Sequence, residues 1–309
     1  MRRGLLACSL SAVIVSAGFL GAGSAAASPH PAAAVPAGCG FINASVIRSD
    51  NQFVIRIADP WSAAPQERPF GTLASAPALQ SLSNAVYDDD PMGPPVYIRN
   101  WAYGTTANTL QFVYAHDENG TLSATMTSLA SRWGGFRQLI YAGFMGALPS
   151  NQLYGLNANG FLYRYRWPTA ELSMTAPASA GRVGGFADIR TMALVGRTST
   201  YDALLANTNS GALVLLKIPL STPMTVTRIV LRTRTWQVFN HLVVADCMSR
   251  DGSTTLLATN TATGKGFVYN LAHLTGPSSG IYPLGSASGT WADPFIIDST
   301  FTDTVPGGA

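Results

Sequence analysis

WGGFRQLIYAGFMGALPSNQLYGLNANGFLYRYRW, residues Trp133 to Trp167, is the stretch on which the fold turns. It opens on a Gly-Gly pair, which lets the backbone turn where a side chain would block it. Phe136 to Phe144 is rich in aromatic and aliphatic residues and reads as a strand. A loop holding Pro149 follows, and Gln152 to Leu156 reads as a second strand. Asn159-Gly160 is the strongest short-range hairpin signal, because both residues tolerate positive φ. Phe161 to Tyr165 then alternates ring and non-ring residues, as a third strand would.

The unit is repeated. Gly134-Gly135-Phe136 recurs 50 positions on as Gly184-Gly185-Phe186, with weaker echoes at Trp236 to Phe239 and Trp291 to Phe295. Leu153 to Leu162 (LYGLNANGFL) aligns without a gap on Leu204 to Leu213 (LLANTNSGAL), and Leu256-Leu257-Ala258 matches Leu204-Leu205-Ala206. Val113 to Leu122 (VYAHDENGTL) has the same shape upstream. A period of roughly 40–50 residues with several short strands in each is the signature of a β-propeller. The expected fold is all-β, with five blades. Blade one comprises 40–75 plus 291–300, blade two 76–130, blade three 133–180, blade four 183–232 and blade five 236–287. In blade one, Phe41 to Ile47 and Gln52 to Ile57 form a hairpin and Phe70 to Ala74 an outer strand. Phe295 to Asp298 is expected to supply the innermost strand of this N-terminal blade, which removes the exposed edge of an open array. Blade two carries the acidic insert Asp88-Asp89-Asp90-Pro91, read as a solvated loop, and has little room for a fourth strand.

Residues 1–27 lie outside this scheme. Arg2 and Arg3 form a positive n-region, Gly4 to Gly21 an apolar run, and Ala25-Ala26-Ala27 a small-residue cleavage site, the pattern of a secretory signal peptide. Residues 28–38, rich in Ala and Pro, read as a disordered leader, and 39–309 as a single propeller domain. The protein is then expected to be secreted and monomeric, with no membrane segment after cleavage. Removing Arg2 and Arg3 lowers the net charge from +3 to +1. No Lys/Arg cluster remains to neutralise phosphates, so a nucleic-acid partner is not expected. The scarcity of lysine beside many arginines and alanines suggests a GC-rich bacterial source. Cys39 and Cys247 remain, and an oxidising compartment favours a disulfide between them. They would sit at the start of a strand in the first blade and the end of an inner strand in the last. The other reading is two small buried apolar side chains.

The order Gly-Gly-aromatic, inner strand, loop, Leu-Tyr-Gly, Asn-Gly, Leu-Tyr-Arg over residues 134–164 resembles the blade of the tachylectin family. The resemblance is clear in blade three, fair in blade four and faint in blades two and five. It implies a five-bladed lectin with an N-acetyl-hexosamine site at each blade gap, built from aromatic packing and loop hydrogen bonds. Phe136 and Phe186 stand where the family has tryptophan, and Met145 to Asn151 replaces its short Pro-Asn-Gly loop.

The aromatics near the loops are the best binding residues, since ring faces stack on sugars. Trp133, Asn151, Tyr154 and Tyr163 are the ligand-binding candidates, while the regularly spaced Phe136, Phe186, Phe239 and Phe295 are expected in the core. Gly276-Pro277-Ser278-Ser279-Gly280 fits G-x-S-x-G, but a nucleophile elbow needs strand, turn and helix, and the composition here is that of a loop. His30, His116, His241 and His273 have no second ligand at metal spacing. No cofactor, metal or catalytic residue is expected. The function expected is non-catalytic carbohydrate binding. The alternatives are a secreted hydrolase or lyase with one central cluster of perturbed acids or histidines, and a structural or protein-interaction propeller.

Overall fold

The structure, a computed structural model, describes residues 42–73, 79–83, 86–90, 97–118, 120–143, 151–167, 174–246 and 253–298. The signal, leader and disulfide expectations, including Cys39 and Cys247, lie outside the described residues. Blade one contains β1 (Ile42–Ile47), β2 (Gln52–Ala58) and β3 (Gln66–Thr72). Blade two contains β4 (Ser81–Leu82), β5 (Val86–Asp90), β6 (Tyr97–Thr105), β7 (Thr109–Glu118) and β8 (Thr121–Ser131). Blade three is β9 (Phe136–Ala142), β10 (Gln152–Asn157), β11 (Leu162–Arg166) and β12 (Ala178–Val183). Blade four is β13 (Ile189–Arg197), β14 (Tyr201–Thr208), β15 (Leu213–Pro219) and β16 (Thr227–Arg232). Blade five is β17 (His241–Asp246), β18 (Thr254–Asn260), β19 (Lys265–Ala272) and β20 (Gly280–Ala287), and the chain returns as β21 (Phe295–Asp298).

Every sheet is antiparallel. The inner elements form a closed circuit: β9 contacts β13, β13 contacts β17, β17 contacts β21, β21 contacts β4, and β4 contacts β9. This is a five-bladed β-propeller. β21 pairs with β1 and places Ile296 opposite Val46, so the C-terminal strand completes the N-terminal blade as the sequence predicts.

The core is divided into five clusters, one at each seam between blades. Each sheet is therefore apolar on both faces. On β13, Met192 and Leu194 face blade three, whereas Ala193 and Val195 face blade five. That is why the strands read as unbroken runs such as Met192–Val195 and Leu213–Leu216 rather than as alternating ones.

A repeated contact joins each blade to the next. The hairpin between the second and third strands of a blade presents one carbonyl, and the chain entering the next blade donates an N–H to it. The pairs are Leu73 to Asn51 (2.9 Å), Trp133 to Asn108 (3.1 Å), Phe186 to Gly160 (3.0 Å), Trp236 to Gly211 (3.0 Å) and Trp291 to Gly264 (2.9 Å). Four of the five acceptors have positive φ: Asn51 66°, Gly160 76°, Gly211 98° and Gly264 66°. At three seams the donor's side chain packs on the third strand of the blade it enters, on the residue five positions past that hairpin's acceptor. Trp133 lies on Tyr165 at 4.2 Å between ring centroids, Trp236 on Tyr269 at 5.2 Å, and Trp291 under the Arg56 guanidinium at 5.1 Å. At the other two, the equivalent residues, Phe186 with Leu216 and Leu73 with Val113, belong to the same seam cluster.

This staple corrects the phase of the repeat. Trp133, not Phe136, is the counterpart of Phe186, and Phe136 corresponds to Ile189, which begins β13. The two Gly-Gly pairs are thus not equivalent. A Cβ on Gly134 would sit 2.1 Å from the Ala107 carbonyl oxygen, and Gly135 has φ 84°, both after the anchor. Gly185 (φ 100°) precedes its anchor and corresponds to Arg132 (φ 67°) and Thr235 (φ 83°). The Val113–Leu122 hairpin is also out of phase, since it joins the third and fourth strands of blade two.

Two further expectations are corrected. Blade two has more strands than expected, not fewer: β4 and β5 both pair with β6 along the same edge. Asp88–Asp90 belongs to β5, opposite Arg99, Ile98 and Tyr97, because the nine-residue β6 offers a ladder that unpaired backbone takes up. The outer strand of blade one is Gln66–Thr72, shifted towards the N-terminus, with a register shift at Phe70 opposite Phe53 and Val54.

Candidate functional site

Two cavities open on the rim where inner strands begin. The first is a cleft of about 290 Å³ at the seam of blades two and three, lined by Arg132, Gly134, Gly135, Phe136, Asn157, Ala158, Asn159, Tyr163 and Tyr165. Tyr163 and Tyr165 are two apart on β11 and so share one face of the strand. Their rings lie 6.2 Å apart and nearly parallel, at 11°. Phe136 meets both edge-on, at 5.4 and 6.1 Å, and Trp133 backs Tyr165. Burial pushes the Tyr165 phenol up to about 12, so it remains a neutral donor at ordinary pH. Asn157 uses its Oδ1 to accept the Phe161 N–H at 2.9 Å. Asn159 and Arg132 are exposed. The cleft thus combines a ring wall, amide and guanidinium donors and unshielded glycine backbone, and among the described residues no carboxylate lines it.

The four sequence candidates divide. Tyr163 lines the cleft, and Trp133 supports it from behind while being itself buried. Asn151 and Tyr154 belong to the core and present no surface to a ligand. Asn151 is 2% exposed, and its carbonyl accepts the Trp167 N–H at 3.1 Å. Tyr154 is fully buried between blades three and four, where its hydroxyl donates to Asp202 Oδ2 at 2.7 Å. Arg197 Nε bonds the other oxygen of that carboxylate at 3.0 Å. Burial and the Asp202 charge hold the Tyr154 phenol well above its ordinary value. A strand buried on both faces leaves no tyrosine on it free by default, and alternation alone does not reveal this. Arg132, Asn157 and Tyr165 complete the cleft. The i, i+2 pairing of Tyr163 with Tyr165 was the signal available for the last.

The cleft is not repeated at every seam. At blade four the positions of Tyr163 and Tyr165 are taken by Val214 and Leu216, both fully buried. At blade five Phe267 and Tyr269 pack on Phe239 and Trp236 with closely similar geometry, centroids 5.9 and 5.2 Å apart. One site per blade, as the resemblance implies, is therefore not matched residue for residue.

The second cavity, about 150 Å³, occupies the axial mouth and is lined by all five inner strands, among them Gln80, Arg137, Gln138, Arg190, Asn240 and His241. Gln138 clamps the neighbouring strand: its Nε2 donates to the Met192 carbonyl at 2.6 Å and its Oε1 accepts the Met192 N–H at 2.9 Å. Burial lowers His241 to about 4, so the ring is neutral at pH 7. Ser279 of the G-x-S-x-G match is a loop staple. Its Oγ donates to the Gly276 carbonyl at 2.6 Å and accepts the N–H groups of Thr275 and Gly276 at 3.0 and 3.1 Å. Among the described residues, no group of three or more His, Cys, Asp or Glu is placed to hold a metal ion, and no helix is long and apolar enough to cross a membrane.

No family model matches the sequence, and no curated protein does. Among solved structures, it is similar to the complex of the fission yeast SREBP–SCAP binding domains. That match has 11% identity over 85% of this chain and 78% of the other, with a TM-score of 0.35. It is also similar to the WD40 domain of SCAP from fission yeast, at 11% identity over 85% and 72% of the two chains and a TM-score of 0.34.

Proposed function

We propose that this propeller is a secreted, non-catalytic carbohydrate-binding protein and that the cleft at the seam of blades two and three holds the sugar. The observation that carries the reading is the paired Tyr163 and Tyr165 wall facing exposed amide and guanidinium donors. A pyranose has apolar C–H faces and a polar equator, so it suits a ring surface bordered by hydrogen-bond groups. The cleft lies at the low end of the range for small-molecule sites, roughly 300–1,000 Å³, which fits a single residue of a glycan. The resemblance of residues 134–164 to the tachylectin blade suggests an N-acetyl-hexosamine. Secretion follows from the signal-like residues 1–27, and a Cys39–Cys247 disulfide would suit that compartment.

Glycan-array profiling of the protein, followed by calorimetric titration of the best N-acetyl-hexosamine ligand, tests the reading. Tyr163→Ala should weaken binding by on the order of 10-fold or more, the loss of one stacking ring at about 1–2 kcal/mol. Stoichiometry should be one or two sugars per chain rather than five, since blade four has no ring wall. Binding that survives Tyr163→Ala and Asn159→Ala unchanged, or no binding to any glycan, overturns it.

A further inference from the structure

The axial mouth differs from the seam cleft in charge as well as in place. Arg137 and Arg190 are each the second residue of an inner strand, on β9 and β13, and both are exposed. Each guanidinium is positioned by a carbonyl of the following blade: Arg137 Nη2 donates to Phe186 O at 3.2 Å, and Arg190 Nε donates to Phe239 O at 3.1 Å. A guanidinium has five N–H donors, so most of each fork is still unspent after that bond. Neither arginine forms an ion pair among the described residues. Asp188, whose charge acts on Arg137, is itself held by both arms of Arg228, at 3.1 and 2.5 Å. Among the described residues, no carboxylate lines the axial cavity. Two cations on neighbouring inner strands, with neutral amides beside them and the nearby Asp188 carboxylate already engaged by Arg228, make a positive mouth that attracts and orients an oxyanion.

We propose that the axial mouth binds one small oxyanion, a carboxylate or phosphate group, between Arg137 and Arg190, with Asn240 and Gln80 as neutral partners at the same mouth. A cavity of about 150 Å³ has room for a carboxylate or phosphate group with a few waters, and not for a polymer. Arginine suits the task because its planar fork matches the two oxygens of a carboxylate or phosphate. This inference goes beyond the glycan reading and does not rest on it. None of the rings of the seam cleft lines the axial cavity.

Calorimetric titration of the full chain at low salt with sodium glucuronate, sodium acetate, inorganic phosphate and neutral glucose provides the test. At least one anion should bind saturably at one site per chain, and glucose should not displace it. A response to glucuronate and acetate identifies a carboxylate ligand, and a response to phosphate alone a phosphate ligand. Arg137→Gln and Arg190→Gln should each weaken anion binding by on the order of 10-fold, the loss of one charge-assisted partner. Tyr163→Ala should leave it unchanged, which separates this site from the sugar cleft. Should a Gln variant lose its β-sheet circular dichroism spectrum, the Nε–Hε resonances of Arg137 and Arg190 in the unsubstituted protein decide, and they should shift on anion addition. Absence of saturable binding by all three anions, Gln variants that bind like the parent, or unmoved arginine resonances would each overturn the proposal.

Discussion

At the residue scale, the most consequential side chain is Arg56. It is nearly buried and joins blade one to the segment that closes the ring. Its Nε bonds Glu67 at 2.5 Å, while its Nη1 bonds Asp293 at 2.6 Å and the Thr290 carbonyl at 2.7 Å, over the Trp291 ring. Removing one member of a buried charged network leaves the others uncompensated. Arg56→Ala should therefore destabilise the protein by about 3–5 kcal/mol in urea unfolding, and Arg56→Lys by less. A loss under about 1 kcal/mol would mean that the network is only a surface ion pair. His241 sets a pH dependence. Its folded value, about 4, lies below the unfolded 6.5, so between these pH values the unfolded chain binds the proton and the folded chain does not. Stability from this group is complete above 6.5 and falls as pH drops towards 4, by at most about 3 kcal/mol, less because the ring keeps some solvent contact. The unfolding free energy of the parent relative to His241→Gln should fall as pH drops from about 6.5 towards 4 and be flat above 6.5. Neither property was legible in the sequence, where Arg56 and His241 are isolated residues whose partners lie up to 237 positions away.

At the element scale, the hairpin between second and third strands is the joint that sets blade against blade. Gly160 shows why its chemistry is narrow. It has φ 76°, and a Cβ there would lie 2.3 Å from the backbone nitrogen of Ala187 in the following blade. Gly120, in the β7–β8 hairpin, has φ 83° but nothing within 4 Å. Gly120→Ala should then cost about 1 kcal/mol, the left-handed penalty alone, and Gly160→Ala clearly more. Equal melting temperatures for the two variants would sink the idea that the hairpins meet the next blade. The Asn159-Gly160 turn and the strands beside it were readable, because turn chemistry and apolar runs are local. The repeat phase was not. Two Gly-Gly-Phe triplets look alike on paper, yet one lies after its anchor and the other before it. Only the partner of each N–H separates them.

At the scale of the whole molecule, closure is the central fact. β21 supplies the missing inner strand of blade one, and Trp291, fully buried, staples that return to blade five while packing under Arg56. A chain ending at Thr290 should lose this strand and the Trp291 anchor together and expose the β1 edge, a template for association. We expect a lower, broader thermal transition and concentration-dependent aggregation on size-exclusion chromatography. A truncated chain that melts like the parent would show the ring to be held elsewhere. The sequence by itself determined the all-β class, the five blades, three of the four expected core phenylalanines (Phe136, Phe186 and Phe239, with Phe295 only partly buried), and the pairing of tail with head. These follow from local turn residues and apolar runs repeated along the chain. Tertiary structure alone decided which tyrosine faces a cleft and which is sealed. Tyr154 and Tyr163 sit on neighbouring strands of one sheet, and when both faces of that sheet are covered, exposure depends on how the adjacent blades meet at their rims.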